Sequence, residues 1–176
     1  MLDTMKKNIF LKELKRKDVT NKYVQWMNDQ KVMEYSDQRL RKHTINDIIK
    51  YVNDSKKSKE EFLYGIYLKN YKNGEHIGNI KLYRINFNNG HGFISYFIGN
   101  KDCWGKGYCT KAISEIIKIA KNKFKLKKLG AGCHELNVGS EKVLEKNNFK
   151  KEGVLRSHLS FNGKRYNSKL YGLILK

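Results

Sequence analysis

Apolar and polar residues alternate from Ile9 to Leu14, which predicts a short strand. Asp18 precedes Val19, Tyr23, Trp26 and Met27, which share one helical face, and Asn28-Asp29 is the expected stop. Gln30 to Arg41 is polar with Val32, Met33 and Tyr35 embedded, the pattern of a loop or short helix lying over a site. Thr44 with Asp47 three residues on has the form of a helix cap, and Ile45, Ile48, Ile49 and Val52 give the buried face behind it. Asp54 to Lys59 is a polar connection.

The period then changes to two. Glu61–Tyr71, His76–Asn86 and His91–Ile98 are rich in branched and aromatic residues and are separated by Asn73-Gly74 and Asn89-Gly90, so three antiparallel strands in a meander are expected. Ser95 to Ile98 reads as buried on both faces. After the turn Trp104-Gly105-Lys106-Gly107-Tyr108-Cys109, Ala112, Ile113, Ile116, Ile117, Ala120 and Phe124 recur every three or four residues and mark a long helix. Lys128–Cys133 is a further strand, and Asn137 caps a helix through Lys146 that turns Val143 and Leu144 inward. Phe149–Ser160 and Lys164–Leu175, joined by Asn162-Gly163, close the chain as a hairpin.

The resulting order, β α α β β β α β α β β, is that of an α+β (α/β) sandwich: about seven strands, about four helices and a largely antiparallel sheet. Only the strands flanking the long helix must run parallel, because a crossover joins them, and a cleft is expected where the connectivity changes. At 176 residues the chain reads as a single domain, 1–176.

The strand, glycine turn and long helix together form a potential anion cradle. A helix's first turn has unpaired N–H groups at the positive end of its dipole, glycine keeps side chains clear, and Lys106 adds charge. The turn has neither the G-x-x-x-x-G-K-[ST] pattern nor a G-x-G-x-x-G followed by a ribose-binding acid, which disfavours a nucleoside triphosphatase or a dinucleotide dehydrogenase.

Composition narrows the partner's charge but not its identity. The chain has 37 basic and 17 acidic residues, a net charge of +20, and no proline. The lysines are dispersed, so composition bias is the simpler reading, yet the surplus attracts any polyanionic ligand. Cys103, Cys109 and Cys133 lack C-x-x-C spacing, and neither a disulfide framework nor a metal site is expected. No apolar run is long enough to span a membrane, and MLDTMKKNIFLKEL contains no signal-peptide core, so a cytoplasmic protein is expected.

These residues carry a resemblance. The turn Trp104-Gly105-Lys106-Gly107-Tyr108-Cys109 followed by Thr110-Lys111-Ala112, and the block Asn137-x-x-Ser140 through Glu145-Lys146 to Phe149, are similar to the cofactor motifs of the Gcn5-related N-acetyltransferases. The branch resembled includes ribosomal-protein N-terminal and amino-sugar nucleotide acetyltransferases. The likeness covers nearly the whole chain, with departures: Trp104 stands where the family has Gln or Arg, Cys109 where it has Gly or Ala, Asn148 where the branch has Gly, and Leu144 where many relatives carry an acidic-role Tyr.

The resemblance implies acetyl-coenzyme A as donor and a primary amine as acceptor, with direct attack in a ternary complex. It implies that Trp104, Gly105, Lys106, Gly107, Tyr108, Cys109 and Thr110 hold the pyrophosphate and that Phe97, Ile98 and Gly99 pair with the pantetheine, while Asn137, Ser140 and Lys146 complete the donor side. Ser140 is the expected contact to the leaving sulfur, and Glu135 or His134 the expected base. Trp26, Asp29, Tyr35 and Arg39 resemble the acceptor side of the branch, where Trp26 stacks on a ring and Arg39 pairs with a phosphate. An amino-sugar nucleotide is the expected acceptor, with a protein N-terminus or a small amine as alternatives, and the oligomeric state is left open. A basic RNA- or ribosome-binding module on the same fold is the competing reading. Dispersed lysines and the lack of an aromatic-basic motif count against it, so a nucleic-acid partner is not expected.

Overall fold

The computed structural model describes residues 9–69 and 74–176. The strands are β1 (Ile9–Glu13), β2 (Phe62–Leu68), β3 (Glu75–Asn86), β4 (His91–Ile98), β5 (Lys128–His134), β6 (Lys150–Phe161) and β7 (Lys164–Ile174). The helices are α1 (Asn21–Asn28), α2 (Ile45–Lys57), α3 (Tyr108–Asn122) and α4 (Val138–Lys146). The strands form one sheet in the order β1-β2-β3-β4-β5-β7-β6, antiparallel everywhere except at β4 and β5. This is the mixed, mostly antiparallel α+β architecture that the patterning predicts.

The core explains the helix periodicities. Ala112, Ile113, Ile116 and Ala120 line the buried face of α3 and join Ile66, Ile80, Leu82 and Leu129 in the main cluster. Complete burial of an isoleucine such as Ile113 contributes about 1.5–3 kcal/mol. A smaller cluster joins Tyr23 and Trp26 of α1 to Ile48 and Val52 of α2 and to Leu63 of β2.

Local chemistry moves several expected boundaries. Asp18 does not cap α1: Lys12 donates to its carboxylate at 2.6 Å, and the Lys15 N–H donates at 2.9 Å. Thr20 takes the cap instead, accepting from the Tyr23 N–H. At α2 the box of Thr44 and Asp47 forms as expected, but the helix runs on to Lys57 through the segment read as a connection, and Ile45 is exposed. Phe124 lies beyond the end of α3 and packs on Phe62 with ring centroids 4.3 Å apart. At the β6–β7 turn Asn162 and Gly163 both have positive φ, 50° and 73°, the geometry for which Asn-Gly is suited. Asn73 and Tyr71 lie outside the described residues.

The end of β4 departs most from expectation. Ser95 is exposed and Tyr96, Phe97 and Ile98 are only partly buried, not covered on both faces. The reason is topological. β4 and β5 pair only from His91–Phe93 to Lys128–Gly130, and beyond that point the strands part. The Phe93 ring lies where a side chain at Gly130 would be, so glycine is needed for the strands to meet at all.

Candidate active site

The splay exposes a particular set of backbone groups. The Gly99 N–H donates to the Ile77 carbonyl at 2.8 Å, so the opposed pair Gly78 and Ile98 is a non-hydrogen-bonded pair of the β3–β4 ladder. By alternation, the in-plane groups of Ile98 and Tyr96 face away from β3 into the splay, while those of Phe97 are spent on Asn79. Trp104 donates its indole N–H to the Ile98 carbonyl at 2.8 Å. The N–H of Ile98 and both groups of Tyr96 are therefore the strand edge offered to a ligand. Of the residues expected on this edge, Phe97 and Gly99 have their N–H groups turned to β3, and Tyr96 stands beside Ile98 on the open side.

Beyond this edge the chain turns into α3. Gly107 is its N-cap at φ 77°, no side chain caps the helix, and Gly105 at φ 70° has open space where a Cβ would project. The first-turn N–H groups of Tyr108, Cys109 and Thr110 precede the first helical bond, in which the Lys111 N–H donates to the Gly107 carbonyl. Lys106 stands exposed beside them. Burial pushes the Cys109 thiol up to about 12, so this cysteine is a packing residue. Asn147, which the sequence pattern does not single out, donates its amide to the Thr110 carbonyl at 3.1 Å and the Val143 carbonyl at 2.9 Å, tying α4 to the start of α3.

Helix α4 faces the splay from the other side. The Asn137 side chain accepts from the Ser140 N–H at 3.0 Å, and the Ser140 hydroxyl meets the Tyr96 hydroxyl at 2.8 Å. Leu144 is fully buried, and Lys146 is exposed to solvent. Asn148 ends the helix at φ 63°, the left-handed conformation that glycine or asparagine tolerates best.

The two residues expected as base are committed elsewhere. The two carboxylate oxygens of Glu135 accept from the N–H and side-chain amide of Asn167, at 2.5 and 3.0 Å. His134 is buried, its Nδ1 accepts from the Leu136 N–H at 3.2 Å, and its Nε2 has no partner. In the neutral ring Nε2 thus carries the proton and is a donor. Burial holds its pKa below the ordinary imidazole range.

On the expected acceptor side, the rings of Tyr35, Phe161 and Tyr166 surround His134 at 5.2, 5.6 and 5.0 Å between centroids. Arg39 lies over Phe161 and donates to the carbonyls of Ser36 and Ser160, both at 2.8 Å, fastening the α1–α2 connection to β6. Trp26 is not part of this group: it is buried against His76, Phe97 and the backbone of Gly99. Asp29 pairs with Lys101 and accepts from the N–H groups of Lys31 and Val32. Sequence reading does not single out Phe161 and Tyr166, because nothing local marks a hairpin tip as packing on Tyr35, more than a hundred residues away.

The acetyltransferase (GNAT) domain model matches residues 8–150. The chain belongs to the GNAT acetyltransferase family. It is 41% identical over 71 residues to the probable N-acetyltransferase YjcK of Bacillus subtilis (strain 168), a match spanning 40% of this chain and 39% of that protein's length. In fold it is similar to the spermidine N-acetyltransferase from Vibrio cholerae in complex with CoA and spermine, at TM-score 0.83, 18% identity and 95% coverage of each chain. RimL, a ribosomal L7/L12 alpha-N-protein acetyltransferase in complex with coenzyme A, superposes at TM-score 0.84 with 17% identity over 95% of this chain and 94% of that one. The microcin C7 self-immunity acetyltransferase MccE, in complex with acetyl-CoA and AMP, gives TM-score 0.81 and 21% identity over 94% and 92% of the two chains.

GNAT enzymes take acetyl-coenzyme A as donor. The residues present fit that group: an uncapped first turn at Tyr108–Thr110, open space over Gly105, and strand-edge groups at Tyr96 and Ile98 pointing into the splay. Among the described residues no His, Cys, Asp or Glu cluster is placed to hold a metal ion, and no helix is long and apolar enough to cross a membrane.

Proposed function

We propose that this chain transfers an acetyl group from acetyl-coenzyme A to the primary amine of an amino-sugar nucleotide, by direct attack in a ternary complex. The observation that carries the transfer is the joining of two features: the uncapped, glycine-started α3 and the Tyr96–Ile98 strand edge open onto one splay. Pyrophosphate suits the first turn of α3, and the pantetheine amides suit the strand edge. The Ile98 N–H is the donor for the thioester oxygen, where negative charge develops.

The bonds balance simply. The amine nitrogen bonds to the acetyl carbon as the carbon–sulfur bond breaks, nitrogen loses a proton and sulfur gains one. Ser140 is the donor toward the sulfur. His134 presents an N–H and both Glu135 oxygens already accept hydrogen bonds, so the ammonium loses its proton to water before attack. The rate should then rise with pH up to the pKa of the amine itself.

The acceptor reading rests on charge and ring chemistry. Tyr35, Phe161 and Tyr166 offer faces to a base or sugar, with Arg39 beside them and a net charge of +20 over the chain. That setting favours a phosphate-bearing amine over a polyamine, whose own charge it repels. Thiol release measured with amino-sugar nucleotides, polyamines and ribosomal N-terminal peptides tests this. Turnover confined to the nucleotide arm is expected, and turnover confined to polyamines or peptides replaces the acceptor while leaving the donor reading intact.

A further inference from the structure

With Leu144 buried where many relatives carry a helix tyrosine, the α4 side of the splay has no phenol of its own. A phenol reaches the same place from the strand. Tyr96 lies on β4 at the point where β4 and β5 have parted, and its hydroxyl sits 2.8 Å from the Ser140 hydroxyl and 3.4 Å from the Ser140 carbonyl. The Ser140 N–H is held by Asn137, which fixes the residue at the first turn of α4.

We propose that Tyr96 is a positioning residue for Ser140: its O–H donates to the Ser140 oxygen, so that the serine's own proton is directed into the splay toward the sulfur of the donor. This inference rests on the donor reading above. A serine hydroxyl rotates freely and donates to whichever acceptor is nearest. The phenol has one proton; given to the Ser140 hydroxyl at 2.8 Å and not to the more distant carbonyl at 3.4 Å, it makes Ser140 the acceptor and leaves the serine's own proton for the ligand. Burial raises the Tyr96 pKa, so the phenol keeps its proton throughout the working range. The groups around it behave alike: Cys109 of α3, Cys133 of β5 and Tyr171 of β7 are all raised by burial, and Glu141 of α4 is paired with Lys169. Nothing in that shell competes for the role at neutral pH.

The chemical consequence is stabilisation of the thiolate as the carbon–sulfur bond breaks. A hydrogen bond to the charged acceptor favours the thiolate and lowers the pKa of the bound coenzyme A thiol by about one to two units. Burial raises the protein's own thiols, Cys103, Cys109 and Cys133, above the ordinary cysteine range, which separates them from this thiol.

The experiment is an ultraviolet titration of the thiolate band in the complex with coenzyme A, compared among wild type, Ser140→Ala, Tyr96→Phe and the double variant. The expected result is a thiol pKa about one to two units higher in all three variants than in wild type. The three should be equal, as for residues that act as one unit. A Tyr96→Phe complex that keeps the wild-type value, or no difference among the four, overturns the proposal. Should Tyr96→Phe not fold, Tyr96→Met takes its place. Failure of the wild-type protein to bind coenzyme A defeats the donor reading itself, whereas binding with an unmoved thiol defeats this inference alone.

Discussion

At the scale of the residue, His134 has a fixed tautomer and a testable titration. Its Nδ1 is occupied by the Leu136 N–H, and burial lowers its pKa from the ordinary value of 6.5. His76, whose Nε2 lies between the Gly78 carbonyl and the Asn79 side chain, is lowered by burial as well. The unfolded chain therefore takes up protons near pH 6.5 that the folded chain refuses. This contribution to stability is fully present above about pH 6.5 and is lost progressively as the pH falls from there through the lowered native values. Urea midpoints between pH 7.5 and 5.5 should fall with pH, and less steeply in His134→Phe. The same tautomer predicts a pH–rate profile set by the acceptor amine; a plateau with an acidic inflection below the ordinary imidazole range that His134→Gln abolishes would make His134 the base. None of this was legible from the sequence, where His134 and Glu135 are merely polar residues at a strand end. Their roles are decided by Leu136 and Asn167, the latter 32 residues from Glu135.

At the scale of the element, the α3 turn depends on two attachments. Asn147 holds the Thr110 carbonyl from α4, and Trp104 holds the Ile98 carbonyl from the loop before α3. Asn147→Ala removes two hydrogen bonds, should cost about 1–3 kcal/mol, and should weaken coenzyme A binding several-fold, as urea unfolding and calorimetry would show. Gly99→Ala tests the other side of the strand, where a Cβ meets the ring of Trp26. That overpacking should cost about 1–3 kcal/mol in urea unfolding. The strands and α3 were readable because period and Asn-Gly turns are local signals. The cap of α1 at Thr20 carries no such signal, and the buried appearance of Ser95–Ile98 misled because a strand beside a splay has the same composition as one between layers.

At the scale of the whole molecule, the fold and the α3 turn follow from neighbouring stretches of chain, while the aromatic group proposed to take the acceptor is assembled across distance. Arg39 reaches Ser160, 121 residues on, to join the α1–α2 connection to the β6–β7 hairpin. Trp26 was assigned to that half by its setting in the sequence, and packing places it in the core instead. The net charge of +20 acts over the same scale. Coenzyme A affinity should weaken steadily as salt rises, because the attraction is screened within about 10 Å at 0.1 M. RNA association, resting on charge alone, should fall steeply as salt rises and be weak at physiological salt. The most direct test of the account is the melting temperature in 0.15 M salt with acetyl-coenzyme A, coenzyme A or RNA, for wild type and Gly107→Val. Both coenzymes should stabilise the wild type, by about 2.7 kcal/mol at a hundredfold excess over Kd, and should stabilise Gly107→Val much less. Stabilisation by RNA with no response to either coenzyme would contradict it.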